Sequence, residues 1–322
     1  MSSTPEARDY CEAFANAIFL TGATASGKSA LGIDLAIRLN AEIVSMDSMA
    51  IYRKMDVGTA KPTLEERRRV PHRMIDVVDP TEEYSLMDYL RDSAEVVDDI
   101  ESRGKVALFV GGTPLYLKAI LFGVFSGPGA DKALRDELLE KVERDGPEAL
   151  WNDLRVVDPE TAQRLHPNDV KRVVRALEVF KLTGVPISRR QREFQSPPRV
   201  DARRAFILTR ERETLYERVN QRVDEMIKNG FVDEVKRLVD ARELGATASQ
   251  AVGYRELAAF LRGEVELADA VETIKQYTRN FAKRQETWFR SLEKFGAQRV
   301  AADGRTRDEI LDEIVANVAA LR

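Results

Sequence analysis

Between a short apolar run, Ala17-Ile18-Phe19-Leu20, and a helical pattern carrying Ala30, Leu31, Ile33, Leu35 and Ala36 lies Gly22-Ala23-Thr24-Ala25-Ser26-Gly27-Lys28-Ser29. The order strand, glycine-rich loop, helix restricts the fold more than any other feature of the chain. Its G-x-x-x-x-G-K-[ST] spacing calls for an α/β architecture with the loop at a sheet edge. The glycines permit a tight turn whose backbone N–H groups converge on an anion. The helix N-terminus adds a partial positive charge, Lys28 adds a full one, and the Ser29 hydroxyl suits Mg²⁺. These residues predict a diphosphate site and leave its guest open.

The rest of the chain extends that frame. Ala41 to Met46 reads as a second strand ending at Asp47, followed by Ser48, Met49 and Ala50. Ligands of open α/β sheets sit at the carboxyl ends of strands, so Asp47 is expected in the same crevice, as a candidate base. An N-cap or turn aspartate is the plainer alternative. Ser85 to Ser102 has apolar positions near a 3.6 period and is expected to be a helix ending at Gly104. Lys105 to Val110 is a buried strand, and Gly111-Gly112-Thr113 after it gives a second strand–glycine–helix junction, where Thr113 is either a ligand contact or a helix N-cap. From Gly123 the composition shifts, and residues 123–203 read as a helical insertion, with Asp169 as the N-cap of the helix through Lys171 to Glu178. Ala205 to Thr209 returns to the sheet. Arg212, just past that strand, is the arginine expected to face the phosphates.

Composition sets limits. With 322 residues the chain is long enough for one large domain or two. No apolar run reaches the length needed to span a membrane, and the polar stretch from Met1 to Cys11 lacks the features of a signal peptide. Cys11 is the only cysteine and His72 and His166 the only histidines, which excludes an internal disulfide and a Cys/His zinc centre and suits a reducing cytoplasm. Net charge is −4, yet residues 161–222 hold 15 Lys/Arg against 7 Asp/Glu. That local excess is a plausible polyanion footprint; a solvated helix surface is the alternative.

Eight separated segments match one family in order: GATASGKS (22–29), DSMAIYRKMDVGTAKP (47–62), PHRMID (71–76), VGGTPLYLKA (110–119), HPNDVKRVVRALEV (166–179), RETLYERVNQRVDEM (212–226), VGYREL (252–257) and FAKRQETWFR (281–290). The chain resembles the tRNA dimethylallyltransferases, also called tRNA isopentenyltransferases. The resemblance implies a P-loop NTPase-like parallel sheet flanked by helices, residues 14–122 plus 204–322, with an all-helical tRNA-binding insertion at 123–203. It implies transfer of the dimethylallyl group from dimethylallyl diphosphate to N6 of the adenosine just 3′ of the anticodon, in tRNAs reading codons that begin with U. Under it the 22–29 loop holds the diphosphate, with Mg²⁺ at Ser29. Asp47 accepts the proton; Lys28, Arg212 and Thr113 complete the catalytic set. Positions matching tRNA contacts are Asp47, Ser48, Met49, Ala50, Thr113, Arg135, Lys171, Arg172, Val173, Val174, Arg175, Gln250, Ala251, Val252, Gly253, Tyr254 and Arg255.

Two positions depart from the family pattern. Many members have Gln at Ala50, and a small or flexible residue is common at Pro114. Eukaryotic relatives carry a C-terminal zinc finger, which Cys11 alone cannot supply, so the resemblance is to the bacterial type, acting as a cytoplasmic monomer. Other readings of the same residues are an ATP-dependent small-molecule or nucleoside kinase, an adenylate isopentenyltransferase acting on free nucleotides, and a non-catalytic RNA-binding protein. The basic insertion favours tRNA over a free nucleotide, and the complete loop favours an enzyme over a binder.

Overall fold

In the computed structural model, which describes residues 10–124, 127–190 and 197–321, six strands form one sheet. They are β1 (Ile18–Gly22), β2 (Ala41–Ser45), β3 (His72–Arg73), β4 (Val106–Gly111), β5 (Ala205–Thr209) and β6 (Gln298–Ala301). The order is β3-β2-β4-β1-β5-β6, and every pairing is parallel. The expectation of an α/β parallel sheet flanked by helices is met. The polar N-terminus up to residue 9, and residues 125–126 and 191–196 of the expected insertion, lie outside the described residues.

Parallel strands covered on both faces are apolar throughout rather than alternating. Ile18 and Leu20, Leu108 and Val110, Phe206 and Leu208 join one core with helices α1 (Lys28–Leu39) and α14 (Arg307–Ala319). On the other face Phe19 stacks on Phe109 at 5.2 Å, with Phe14 edge-on at 5.7 Å. Each such buried ring contributes about 2–3 kcal/mol. Helix α2 (Leu64–Arg69) buries nothing and starts at a Thr63/Glu66 capping box; α3 (Leu86–Ser102) does so at Ser85/Asp88.

Register positions the site. Leu20, Val110 and Ser45 lie side by side in β1, β4 and β2, so the chain leaves all three strands at one level. Helices α4 (Pro114–Phe122), α10 (Arg212–Lys228), α11 (Phe231–Asp240), α12 (Tyr254–Leu261) and α13 (Leu267–Arg290) complete the order. Pro114 is the first residue of α4, where its missing N–H costs nothing.

Residues Phe122–Pro198 form a separate compact unit. It contains α5 (Lys132–Asp145), α6 (Pro147–Val157), α7 (Pro159–Arg164), α8 (Val170–Thr183) and α9 (Ile187–Arg190), around a core that includes Leu138, Leu150, Leu154, Val173, Val174 and Leu177. Asp131 caps α5 by accepting from Leu134 N. Asp169 precedes α8 as expected but makes no side-chain cap; its carboxylate pairs with Arg172 Nη1 at 2.9 Å.

Candidate active site

The loops after β1, β2 and β4 enclose a cavity of about 440 Å³. Thr24, Lys28, Ser29, Asp47 and Thr113 all line it, as do Ser48, Met49 and Ala50. Two turns of chemistry meet there: an anion cradle from β1 and a carboxylate from β2.

The cradle is built by close approach and by braces from distant helices. At Gly22 (φ +150°) a Cβ would lie 2.4 Å from Leu208 O, so β1 ends against β5 only with glycine there. Ala25 holds φ +63°, an unfavourable region for a side chain. Its carbonyl accepts from Arg218 Nε at 2.9 Å, and the Ser26 carbonyl accepts from Arg210 Nε at 2.7 Å. Arg210 is held in turn by Asp303 at 2.8 Å. The buried Ser26 hydroxyl has no partner among the described residues.

Lys28 Nζ reaches back to Ala23 O at 3.2 Å. Desolvation, with Arg222 nearby, brings its ammonium down to about 8, against the attraction of Asp47. Arg222, on α10, also lines the cavity. Desolvation lowers it from its ordinary value, opposed by Asp47 and Glu225. It makes no hydrogen bond or ion pair among the described residues. Asp47 Oδ1 accepts from Met49 N at 2.8 Å and Ala50 N at 3.3 Å, which fixes the carboxylate; Oδ2 has no protein partner among the described residues. The turn-forming alternative for Asp47 and its place in the crevice are therefore both realised. Thr113 spends its hydroxyl on Ser48 N at 3.1 Å, tying the β4 loop to the segment after Asp47. Val219, Val223 and Phe281 add apolar wall.

Arg212 is a correction. It is the first residue of α10, exposed and outside the cavity lining. Among the described residues, the arginine that lines the cavity is Arg222, ten positions on. The period of α10 does not separate the two: Leu215, Val219, Val223 and Met226 mark the buried face, and Arg212 and Arg222 both fall on that side, Arg212 at its exposed first turn.

The 250–255 segment divides in the same way. Gln250, Ala251, Val252 and Tyr254 line the cavity, but Tyr254 is fully buried and donates to Glu234 Oε1 at 2.6 Å. Gly253 is buried, and Arg255 is exposed, its guanidinium 5.2 Å from the Tyr277 ring. Glu234 was not singled out from the sequence; its carboxylate also accepts from the backbone N–H groups of Asp56, Val57 and Gly58 and so holds the loop that walls the cavity. Lys61 of that loop is buried on Tyr52 O, Asp56 and Asp76.

In the helical unit, the expectation that residues 171–175 present a contact surface fails for Val173 and Val174, which are core. Arg135 and Arg175 both bond the buried carboxylate of Glu178, at 2.8 and 2.6 Å, with 41% and 35% of their side chains left accessible. Lys171 and Arg172 are exposed.

For Mg²⁺, no cluster of three or more His, Cys, Asp or Glu side chains exists among the described residues. The cavity offers the Ser29 hydroxyl, without a protein partner among the described residues, and the Asp47 carboxylate. Hard oxygen donors in small number fit an ion that keeps its waters and binds through substrate phosphates.

A family model described as IPP transferase matches residues 50–292, and one described as isopentenyl transferase matches residues 15–76. The chain is 48% identical over 275 residues to the tRNA dimethylallyltransferase of Thermotoga neapolitana, covering 84% of this chain and 88% of that protein. It is 44% identical over 282 residues to the tRNA dimethylallyltransferase of Thermoanaerobacter sp., covering 86% and 89%. The crystal structure of a tRNA isopentenylpyrophosphate transferase from Bacillus halodurans aligns with TM-score 0.68 and 38% identity, over 95% of this chain and 97% of that one. A eukaryotic dimethylallyltransferase acting on tRNA aligns with TM-score 0.75 and 29% identity, over 94% and 79%.

Proposed function

The chain belongs to the IPP transferase family of tRNA dimethylallyltransferases, and from that premise we propose that it transfers the dimethylallyl group of dimethylallyl diphosphate to N6 of the adenosine 3′-adjacent to the anticodon, in tRNAs reading codons that begin with U. One observation carries the reading: the anion cradle, a carboxylate with a free oxygen and an apolar wall share one cavity.

The adenine N6 lone pair is delocalised into the ring, so the amine is a poor nucleophile. Asp47, fixed through Oδ1, accepts its proton at Oδ2 as the N6–C1 bond forms, a contribution of about 10²–10⁴-fold. The allylic C1–O bond breaks with cation character, and its electron pair leaves with the diphosphate. The loop N–H groups, Lys28 and Arg222 hold that growing negative charge in a desolvated site, where such interactions are strongest. Ser29 would hold Mg²⁺, which would supply further neutralisation of the leaving group. The products are N6-isopentenyladenosine in tRNA and inorganic diphosphate.

An adenine stacked in the loop cannot reach Asp47, so it enters flipped out, at a cost of a few kcal/mol. Phosphate contacts from Lys171, Arg172 and the accessible parts of Arg135 and Arg175 offset that cost and make tRNA affinity salt-sensitive. The protein acts as a cytoplasmic monomer.

The test is incubation with dimethylallyl diphosphate and unmodified tRNA, followed by mass analysis of the digested nucleosides. Addition of the five-carbon mass to one adenosine is expected. No addition, together with tight Mg²⁺-dependent ATP binding and no response to dimethylallyl diphosphate, would replace this reading with a kinase.

A further inference from the structure

The FAKRQETWFR segment contains a residue that neither the cradle nor the base accounts for. Gln285, on α13, is only 2% exposed and lies against the cavity. Its Oε1 accepts from Thr24 N at 2.9 Å, and its Nε2 donates to Gly112 O at 2.5 Å. Thr113, the next residue, accepts from Ser48 N, and Ser48 follows Asp47. A chain of hydrogen bonds therefore runs from the phosphate loop through one side chain to the segment carrying the carboxylate.

An amide meets both demands of this position and a charged group does not. The Thr24 N–H requires an acceptor and the Gly112 carbonyl requires a donor, at opposite corners of one planar group. A carboxylate supplies the first and opposes the second; an ammonium does the reverse. Gly112 is shaped to the same contact, since a Cβ there would lie 2.7 Å from Gln285 Nε2.

We infer that Gln285 is a positioning residue that couples occupancy of the diphosphate cradle to the placement of Asp47. Anion binding to the loop shifts the Thr24 peptide; the rigid amide passes the shift to Gly112, Thr113 and Ser48. The inference adds a residue and a coupling to the transfer reaction proposed above, and its kinetic arm rests on that reading.

Two measurements test it. In single turnover, Gln285→Met is expected to slow transfer about 10- to 100-fold with a near-normal melting temperature, because small misplacements of the reacting groups have effects of that size. Gln285→Glu keeps the acceptor for Thr24 and loses the donor to Gly112, and is expected to show the same loss. Combined with Thr113→Val, Gln285→Met is expected to cost no more than about twofold beyond itself, since both changes cut one path. Losses that multiply, or wild-type rates in Gln285→Glu, overturn the coupling. The second arm needs no transfer: on adding inorganic diphosphate, the Ser48 amide resonance shifts in the wild type and stays in place in Gln285→Glu. An equal shift in both proteins overturns the inference, whatever the reaction is.

Discussion

Strand β2 has a carboxylate near each end, and the fold treats them in opposite ways. Glu42, at the start, is 2% exposed and bonds Arg73 and Lys105, both at 3.0 Å, and both outer nitrogens of Arg103. The Arg103 hydrogen bonds, with those from Lys105 and Arg73, hold its carboxyl down at about 2 in spite of burial. Asp47, past the other end, has among the described residues only backbone N–H donors on one oxygen, while Lys28 and Arg222 sit desolvated nearby with no anionic partner within ion-pair distance among those residues. One end is a closed ledger of charge and serves the fold. The other is open, and under the proposed transfer an incoming anion and proton complete it. Charges that the protein leaves uncompensated mark the chemistry better than charge itself.

The comparison breaks first at Asp47. Asp47→Ala is expected to reduce single-turnover transfer by about 10²–10⁴-fold and to leave tRNA binding nearly unchanged; near-normal turnover would remove the carboxylate from the reaction. Arg222→Ala is expected to cost about 10²–10³-fold in turnover and to weaken diphosphate binding measured by calorimetry.

Glu42→Gln sharpens the contrast from the other end. It should leave turnover per folded molecule intact and lower stability by about 2 kcal/mol in urea titrations, because three cations lose a charged partner. The pH sign follows from a depressed carboxyl. The folded group sits at about 2 against an ordinary 4.5, so its contribution is complete above pH 4.5 and is lost as pH falls toward 2. The Gln variant should show a flatter acid limb in that window; identical limbs would remove Glu42 from the stability balance. A subtler effect concerns Lys28, whose ammonium sits at about 8 without a guest. A bound anion raises it, so binding of dimethylallyl diphosphate, itself fully ionised at about pH 9, should take up protons there, an uptake that vanishes at pH 6 where Lys28 is already protonated, read from calorimetry in buffers of different ionisation enthalpy. Smallest of all is Arg212→Ala, expected to change turnover less than about twofold, as for an exposed surface side chain.

Legibility followed the range of the interactions. The phosphate loop and Asp47 were readable because their geometry is made by neighbours in the chain. Val173 and Val174 were misplaced for a different reason. Five or six consecutive residues on a helix cover more than a full turn, so a contiguous motif cannot all face one partner. The 3.6 period of α8 assigned Val173 and Val174 to the core, and the matched segment was read as a block instead. The same period puts Arg212 and Arg222 both on the apolar side of α10; Arg212 stays outside because it stands at the first residue of the helix, ahead of the buried stripe.

By itself the sequence determined a strand–loop–helix anion cradle, a second strand ending in an acid, and helices set by their caps and apolar stripes. All of these rest on contacts within a few residues. The tertiary structure decided which cations reach the cradle, how Glu234 holds the cavity wall, and that Gln285 bridges two loops. Thr24 and Gln285 are 261 positions apart, and Asp56 and Glu234 are 178 apart. Such partners are chosen by strand order and helix packing, because a side chain's donors and acceptors acquire a role only when the fold brings their complements within about 3 Å.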